Sequence, residues 1–256
     1  MKVSIITVVF NSRQFIESAI KSVLSQTYSD IEYIMIDGGS ADGTVEIINK
    51  YRDKIAKFIS EPDKGIYDAM NKGIKLATGE IIGILNSDDF YANENVIKIV
   101  AKAMSDKNAD VCWGDLVYVD KNDQNKIIRF WESSPYQEGK FRRGWMPPHP
   151  TFFVRKEIYR KYGFFNLNFK IAADYELMLR FLEKYEARSC YVPEILVKMR
   201  SGGKSNISII NAIKANLEIY QAWKLNNLNG GVLAIFLKLF SLSKIIQYFK
   251  NFKEFK

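Results

Sequence analysis

Asp88 is the residue with the clearest chemical use. It stands in Asn86-Ser87-Asp88-Asp89, directly after the apolar run Ile81-Ile82-Gly83-Ile84-Leu85. A carboxylate at the mouth of a buried strand can bind a hard divalent cation such as Mg2+ or Mn2+. Such a cation often takes only one or two protein ligands, with phosphate oxygens and water completing its shell. That arrangement suits a diphosphate leaving group, whose developing charge the cation neutralises. The plainer use of the acidic pair is to cap a helix beginning near Asn93.

The elements around Asp88 must place it in a cleft. Residues 3–10 are rich in β-branched side chains and read as a buried strand, and Ser12 is placed to cap the helix that follows. The apolar face of that helix is Phe15, Ile16, Ala19, Ile20, Val23 and Leu24. Residues 31–36 read as a second strand, 44–51 as a helix, 58–59 as a short strand, 66–77 as a helix stopped at Thr78-Gly79, and 81–85 as a central strand. The alternation predicts an α/β fold with a mainly parallel sheet and helices on both faces. Sites in such sheets lie beyond the carboxyl ends of the strands. Polar clusters occur at three of those ends, at Asn11, Asp37 and Asp88-Asp89, and one shared site accounts for all three. Further on, 111–119 reads as strand, 135–150 as loop, 151–154 as strand, 175–185 as helix and 195–199 as strand. Gly202-Gly203 breaks the chain before a helical remainder.

Composition bounds the function. The chain has 256 residues, 47% hydrophobic and 26% charged, the balance of an ordinary globular protein. Its net charge of +8 fits phosphorylated substrates or an anionic membrane surface. The basic residues are scattered and no nucleic-acid-binding signature accompanies them, so no nucleic-acid partner is expected. Cys112 and Cys190 lie far apart and outside any CxxC pair, which argues against a zinc site or disulfide framework and fits a reducing cytoplasm. The N-terminus runs straight into strand, with no signal-peptide pattern.

The order and spacing of several blocks resemble the family 2 glycosyltransferases of the GT-A fold. The blocks are Ser4-Ile5-Ile6-Thr7-Val8-Val9-Phe10-Asn11, Gln26-Thr27-Tyr28, Ile36-Asp37-Gly38-Gly39-Ser40-Ala41-Asp42-Gly43-Thr44, the stretch 61–73 and Leu85-Asn86-Ser87-Asp88-Asp89. The stretch 65–73 and the later Ala172-Ala173-Asp174-Tyr175 look like the branch that builds surface polysaccharides, including the colanic-acid type. The resemblance implies an enzyme that moves a sugar from a nucleoside-diphosphate donor to an acceptor hydroxyl with inversion, using Mn2+ or Mg2+. It places the GT-A domain at 1–205 and a C-terminal helical extension at 206–256.

It also assigns roles. Thr7, Phe10 and Asn11 would lie along the nucleotide, and Asp37 would contact base or ribose, although an Asp before two glycines also serves to hold a turn. Asp63 and Lys64 would line the nucleotide, with Lys64 a phosphate contact. Asn86 and Ser87 belong to the family's DxD position. Asn stands there for the first Asp, which leaves Asp88 as the metal ligand and Asp89 to hold the loop. Asp68 and Asn71 are weaker candidates for the donor sugar. Asp174 would be the base that takes the acceptor proton, or an N-cap. His149, the only histidine, would lie near acceptor and diphosphate. The loop carrying it, with Arg142, Arg143 and Trp145, could close as a lid. Arg200, in Arg200-Ser201-Gly202-Gly203-Lys204-Ser205, would reach the phosphates.

The tail has its own physics. Residues 232–240 are apolar apart from Lys238, and Ile245, Ile246, Phe249 and Phe252 follow with interleaved lysines. An interfacial amphipathic helix fits this better than a spanning one. It would hold the enzyme at the inner face of the plasma membrane, beside a lipid-linked or saccharide acceptor. Packing on protein is the plainer reading. A nucleotidyltransferase would need a Gly-rich loop where Phe10-Asn11-Ser12-Arg13-Gln14-Phe15 stands. A non-catalytic nucleotide-sugar-binding scaffold would need Asp88 or Asp174 to be dispensable.

Overall fold

A computed structural model describes residues 1–202 and 209–240. The expectations placed on Gly203-Lys204-Ser205 and on the tail beyond Phe240 lie outside the described residues. The first strand, β1 (Val3–Val9), is buried along its whole length. It pairs in parallel with β2 (Ile31–Asp37) and with β4 (Ile81–Asn86), and β2 pairs in parallel with β3 (Lys57–Ser60). Alternate side chains leave β1 on opposite faces. Ile6 and Val8 join a core with Met70 and Ile74 of α3 (Ile66–Leu76). Val3, Ile5 and Val9 join a second core with Ile16 and Ile20 of α1 (Ile16–Leu24) and Ile48 of α2 (Thr44–Asn49). The approach of α3 to β1 is close. A Cβ on Gly73 would lie 2.4 Å from an Ile6 methyl, so any larger residue there would push the helix off the sheet.

The rest of the sheet is more irregular. Its elements are β5 (Phe90–Tyr91), α4 (Val96–Asp106), β6 (Val111–Val119), β7 (Ile127–Trp131), β8 (Phe153–Arg155), α5 (Lys156–Tyr162), α6 (Ala173–Leu179) and β9 (Ser189–Arg200). The strand order is β3-β2-β1-β4-β8-β6-β9-β5, with β7 added beside β6. β1 to β4, β6 and β9 run one way, whereas β5, β7 and β8 run against their neighbours. The mainly parallel α/β architecture is therefore as expected. Cys112 and Cys190, far apart in sequence, face each other across β6 and β9 as buried free thiols.

Two helices follow, α7 (Ile209–Leu225) and α8 (Gly231–Phe240). Ile219, Ala222, Trp223 and Ala234 are buried in the same core as α3 and α6. The described part of the C-terminal helical extension thus packs on the core formed by α3 and α6. No helix of the described residues is long and apolar enough to cross a membrane.

Several local expectations differ from what is found. Ser12 does not cap α1 with its side chain. Its carbonyl accepts the N–H groups of Phe15 and Ile16 instead. The strand expected from 151 begins at Phe153, because residues His149–Thr151 form a 3-10 turn. The helix expected to 185 passes at Arg180 into a π-helical turn.

At the end of the sheet away from the strand carboxyl termini, Glu32 is almost fully buried. It accepts hydrogen bonds from Ser4 Oγ (2.6 Å), Thr78 N–H (2.7 Å) and Thr78 Oγ1 (2.8 Å), with Lys57 Nζ at 3.5 Å. Burial alone would raise its carboxyl pKa, but these donors and the Lys57 charge outweigh it and hold the group down to about 2.

Candidate active site

The parallel register sets the spacing of the site. Val9 pairs with Asp37 on one side, and Val8 pairs with Asn86 on the other. Asp37 and Asn86 are thus about 9–10 Å apart, two strand spacings, with β1 between them. Beyond β1, Phe10 is 52% exposed and Asn11 takes a left-handed conformation with φ 49°. The Asn11 N–H donates to Ser40 Oγ (2.8 Å), and its Oδ1 accepts the Ala41 N–H (3.0 Å). Ser12 N–H to Thr44 Oγ1 (2.9 Å) and Arg13 N–H to Asp42 Oδ2 (3.0 Å) complete a latch between the two loops. Asn11 therefore fixes the direction in which the Phe10 ring stands in the cleft.

Asp37 is 0% exposed. Its carboxylate accepts the N–H groups of Gly39 (3.1 Å) and Ser40 (3.0 Å) and the hydroxyls of Ser40 and Ser60. Of the two uses open to it, turn-holding is the one its hydrogen bonds serve. Gly38 lies between the Phe10 ring and Asp63. A Cβ there would fall 2.4 Å from Asp63 Oδ2 and 3.4 Å from the ring. Asp63 also accepts the Gly65 N–H (2.8 Å), which opens α3, and the Lys64 side chain is exposed beside it. Thr7 is buried beneath the loops, 3.1 Å from Tyr33 Oη. It supports the site from below rather than lining it.

Asp88 is half-buried, and among the described residues its carboxylate has no hydrogen-bond or ion-pair partner. Ser87 beside it is half-buried too. The helix after this loop starts only at Val96, with no side-chain cap, so the capping use of the acidic pair is not made. Asp89 is buried, and Asn86 Nδ2 donates to its Oδ2 (3.2 Å). Burial, and then the charge of Asp88, push the Asp89 carboxyl well above the usual carboxylate range. Asn86 Oδ1 and Asp89 Oδ1 are both buried without a partner. No group of three His, Cys, Asp or Glu side chains converges among the described residues. The donor set is thus one free carboxylate, which fits a hard cation that completes its shell with diphosphate and water.

Arg200 differs from its expected role at the phosphates. Its guanidinium is buried beneath the Asp88 loop, donating to the Asp88 carbonyl (2.5 Å) and to Ser18 Oγ (2.9 Å). Asn71 differs as well. Its Nδ2 donates to the Phe165 carbonyl (2.9 Å) and its Oδ1 accepts the Phe165 N–H (3.0 Å). The residue is buried and both ends of its amide bond Phe165, so it clamps the chain leading to α6. Asp68 accepts the Lys64 N–H (3.1 Å) and faces Lys72, which makes it a holder of the turn into α3.

Asp174 lies in the first turn of α6, whose N-cap is Ala172. It does not cap the helix itself. Its side chain is 20% exposed, with Oδ2 3.4 Å from His149 Nδ1. The single Tyr67 hydroxyl proton is shared between the Ile171 carbonyl (2.8 Å) and Asp174 Oδ1 (3.3 Å). Burial, and then the Asp174 charge, raise the Tyr67 phenol, so Tyr67 stays a hydrogen-bond donor. Sequence reasoning missed Tyr67, because it reads as an ordinary aromatic on the buried face of α3. The loop before His149 is packed through an aromatic cluster. Trp145 packs edge-on against Trp113 (5.8 Å) and Phe141 (5.6 Å), and Arg142 reaches Glu183 (3.8 Å).

The glycosyl transferase family 2 model matches residues 4–163. This chain belongs to that family. Over 185 residues this family 2 transferase is 36% identical to an uncharacterised glycosyltransferase of Mycobacterium tuberculosis, covering 70% of this chain and 68% of that one. It is 26% identical over 208 residues to a PGL/p-HBAD biosynthesis glycosyltransferase of Mycobacterium bovis, covering 79% and 78%. Among solved structures, the transferase is similar to S. aureus TarS in complex with UDP-GlcNAc, at a TM-score of 0.69 and 20% identity. That likeness covers 88% of this chain and 65% of the other, so this chain spans slightly under two thirds of it. It is also similar to a mannosyltransferase of Pyrobaculum calidifontis in complex with GDP-Man and Mn2+, at a TM-score of 0.66 and 15% identity, covering 92% and 69%. At these identities the structures establish the GT-A fold. The family match ends before Asp174, so the reading of Asp174 rests on its own geometry.

Proposed function

We propose that this family 2 transferase moves a sugar, with inversion, from a nucleoside-diphosphate sugar to an acceptor hydroxyl in the assembly of cell-surface polysaccharide. The observation that carries the proposal is that α3 links two unlike sets of groups, since the Asp63–Lys64 turn opens it and Tyr67 in its first turn bonds Asp174. One set offers an exposed aromatic at Phe10, the Asp63–Lys64 turn and the unpartnered carboxylate of Asp88. The other offers Asp174, oriented by His149 and Tyr67.

The Phe10 ring is a stacking platform for the base, and Asp37 acts by shaping the turn beside it. Ser87 and Asp63 are within the same set and can accept or donate to ribose, whereas Asn86 Oδ1 is buried behind them. Asp88 would hold Mn2+ or Mg2+, which supplies positive charge for the departing diphosphate. Asp174 takes the proton from the acceptor hydroxyl as its oxygen attacks the anomeric carbon. The C–O bond to the nucleoside diphosphate breaks on the opposite face, which inverts the configuration. His149, against the second carboxylate oxygen, keeps Asp174 turned to the acceptor.

The exposed apolar residues Ile213 and Leu217 of α7 and Val232 and Leu233 of α8 support a peripheral membrane contact. That contact would bring a lipid-linked or saccharide acceptor to the site at the inner face of the plasma membrane.

The test is a thermal-shift screen of UDP-, GDP- and dTDP-linked sugars, each with and without Mn2+ or Mg2+. A ligand that binds only the folded state raises the melting temperature. One nucleotide with a cation-dependent shift is the expected result. No shift with any nucleotide would overturn the proposal.

A further inference from the structure

We propose that Glu218 of α7 is a positioning residue for Asp174, so that the C-terminal helix completes the catalytic wall of the cleft. The inference rests on the reading of Asp174 as base and deepens it. Glu218 lies well beyond the segment matched by the family model, which ends at residue 163. Its carboxylate accepts three successive backbone N–H groups, from Lys170 (2.9 Å), Ile171 (2.9 Å) and Ala172 (2.8 Å). These residues lead directly into the first turn of α6. A carboxylate bound by three amides is a strong, directional clamp, because each bond is charge-assisted.

The neighbours of Asp174 on its other flank are held from the end of the same helix and from the residue that follows it. Trp223 Nε1 donates to Tyr175 Oη (2.9 Å), and Asn226 Nδ2 donates to Glu176 Oε1 (3.0 Å). Tyr67, from α3, takes the Ile171 carbonyl at 2.8 Å. The backbone on one side of Asp174 is therefore fixed by α7, and the side chains on the other by α7 and Asn226 just after it. The Asp174 carboxylate itself is left to face His149 and Tyr67. A glutamine at 218 would keep the size, but it has one acceptor oxygen where three N–H groups converge, and it turns an NH2 toward donors. The segment 170–174 would then lose its register against His149. A misplacement of about 1 Å at a catalytic group costs on the order of 100-fold in rate.

His149 is the only histidine, so its imidazole gives a single, assignable set of NMR signals. Asp174→Asn should move those signals at fixed pH. Glu218→Gln should move them in the same direction by a comparable amount, and should add nothing in the Asp174→Asn background. Glu218→Asp, which keeps the charge but shortens the reach, should fall between. It also carries the test if the glutamine variant folds poorly. In turnover of the UDP- or GDP-linked sugar that stabilises the protein, Glu218→Gln should lower kcat roughly 10–100-fold with donor KM unchanged. That loss should vanish when Asp174 is already Asn. His149 signals unmoved by both Glu218 variants, or an equal kcat loss with and without Asp174, would overturn the proposal. Full turnover in Asp174→Asn would instead reject the base assignment, while the NMR arm still decides whether Glu218 sets the place of Asp174.

Discussion

Arg200 donates a guanidinium N–H to the backbone carbonyl of Asp88 at 2.5 Å, across 112 residues of sequence. The same guanidinium lies over the rings of Phe15 (5.0 Å) and Phe90 (4.8 Å) and bonds Ser18 Oγ (2.9 Å). The end of β9 thereby props the loop at the end of β4. Lysine cannot make two directed bonds while lying flat between two rings. Arg200→Lys should cost about 1–3 kcal/mol, the worth of a buried charge-assisted hydrogen bond. Thermal melts should show a fall of several degrees. The Mn2+-dependent nucleotide shift should weaken alongside, because Asp88 is less well held.

Asp88 should behave in the opposite way. Its carboxylate contributes no hydrogen bond or ion pair within the described protein, and it lies beside a second, buried carboxyl at Asp89. Asp88→Ala should therefore leave the melting temperature of the free protein unchanged or slightly raised. It should abolish the extra stabilisation that a divalent cation gives to the nucleotide complex. Melts with nucleotide alone, cation alone and both together separate the two effects. A large loss of stability in the free variant would mean that Asp88 has a structural role instead.

For Asp174, the expectation concerns chemistry rather than binding. General-base catalysis contributes about 100- to 10,000-fold. Asp174→Asn should lose turnover within that range while donor affinity, read by calorimetry, stays within twofold on the order-of-magnitude scale of such measurements. His149→Ala should lose less, because it orients the carboxylate and does not itself receive the acceptor proton.

How legible this site was in the sequence follows from how local its parts are. The parallel half could be read because β1, β2 and β4 are short apolar runs ending in polar turns, each recognisable within ten residues or so. In the second half only β6, part of β8, the helix at α6 and the end of β9 could be read. β7 presents exposed isoleucines and has no buried face to reveal it. β9 carries Pro193 and shifts register against β6 on either side of Asp115, which hides all but its last apolar stretch. α5 is a short, charged helix. Asn71 and Arg200 were legible as functional residue types. Their partners, Phe165 and Asp88, lie 94 and 112 residues away, and only the fold brings them together. Thr7 and Asp37 are likewise part of the site's foundation, because a strand that ends in a site buries its last residues beneath it.

Glu32 gives a pH dependence with a definite sign. Its folded pKa is held to about 2, below the ordinary carboxyl value of 4.5. A depressed carboxyl contributes stability above its unfolded pKa and loses it as pH falls toward the folded one. The difference in unfolding free energy between the natural chain and Glu32→Gln should therefore be full near neutral pH and shrink between about pH 4.5 and pH 2. At neutral pH the variant should be less stable by ~1–3 kcal/mol. Urea unfolding at a series of pH values measures it, and a difference independent of pH would show that Glu32 acts through shape alone.

The C-terminal helices separate packing from membrane contact. Gly231 and Ala234 of α8 lie against the core, where a Cβ on Gly231 would fall 2.9 Å from Trp223 Cβ. Removing residues 231–256 should therefore uncover Trp223 and lower the melting temperature, whereas removing only 241–256 leaves Trp223 covered by α8. If the interleaved apolar and basic residues of that last segment meet a lipid surface, the shorter deletion should also reduce co-sedimentation with vesicles containing anionic lipid. The remaining binding should fall further in Leu217→Glu, since Leu217 stands exposed on α7. Binding to anionic vesicles that survives both changes would remove the membrane reading and leave the apolar stripe to a protein partner.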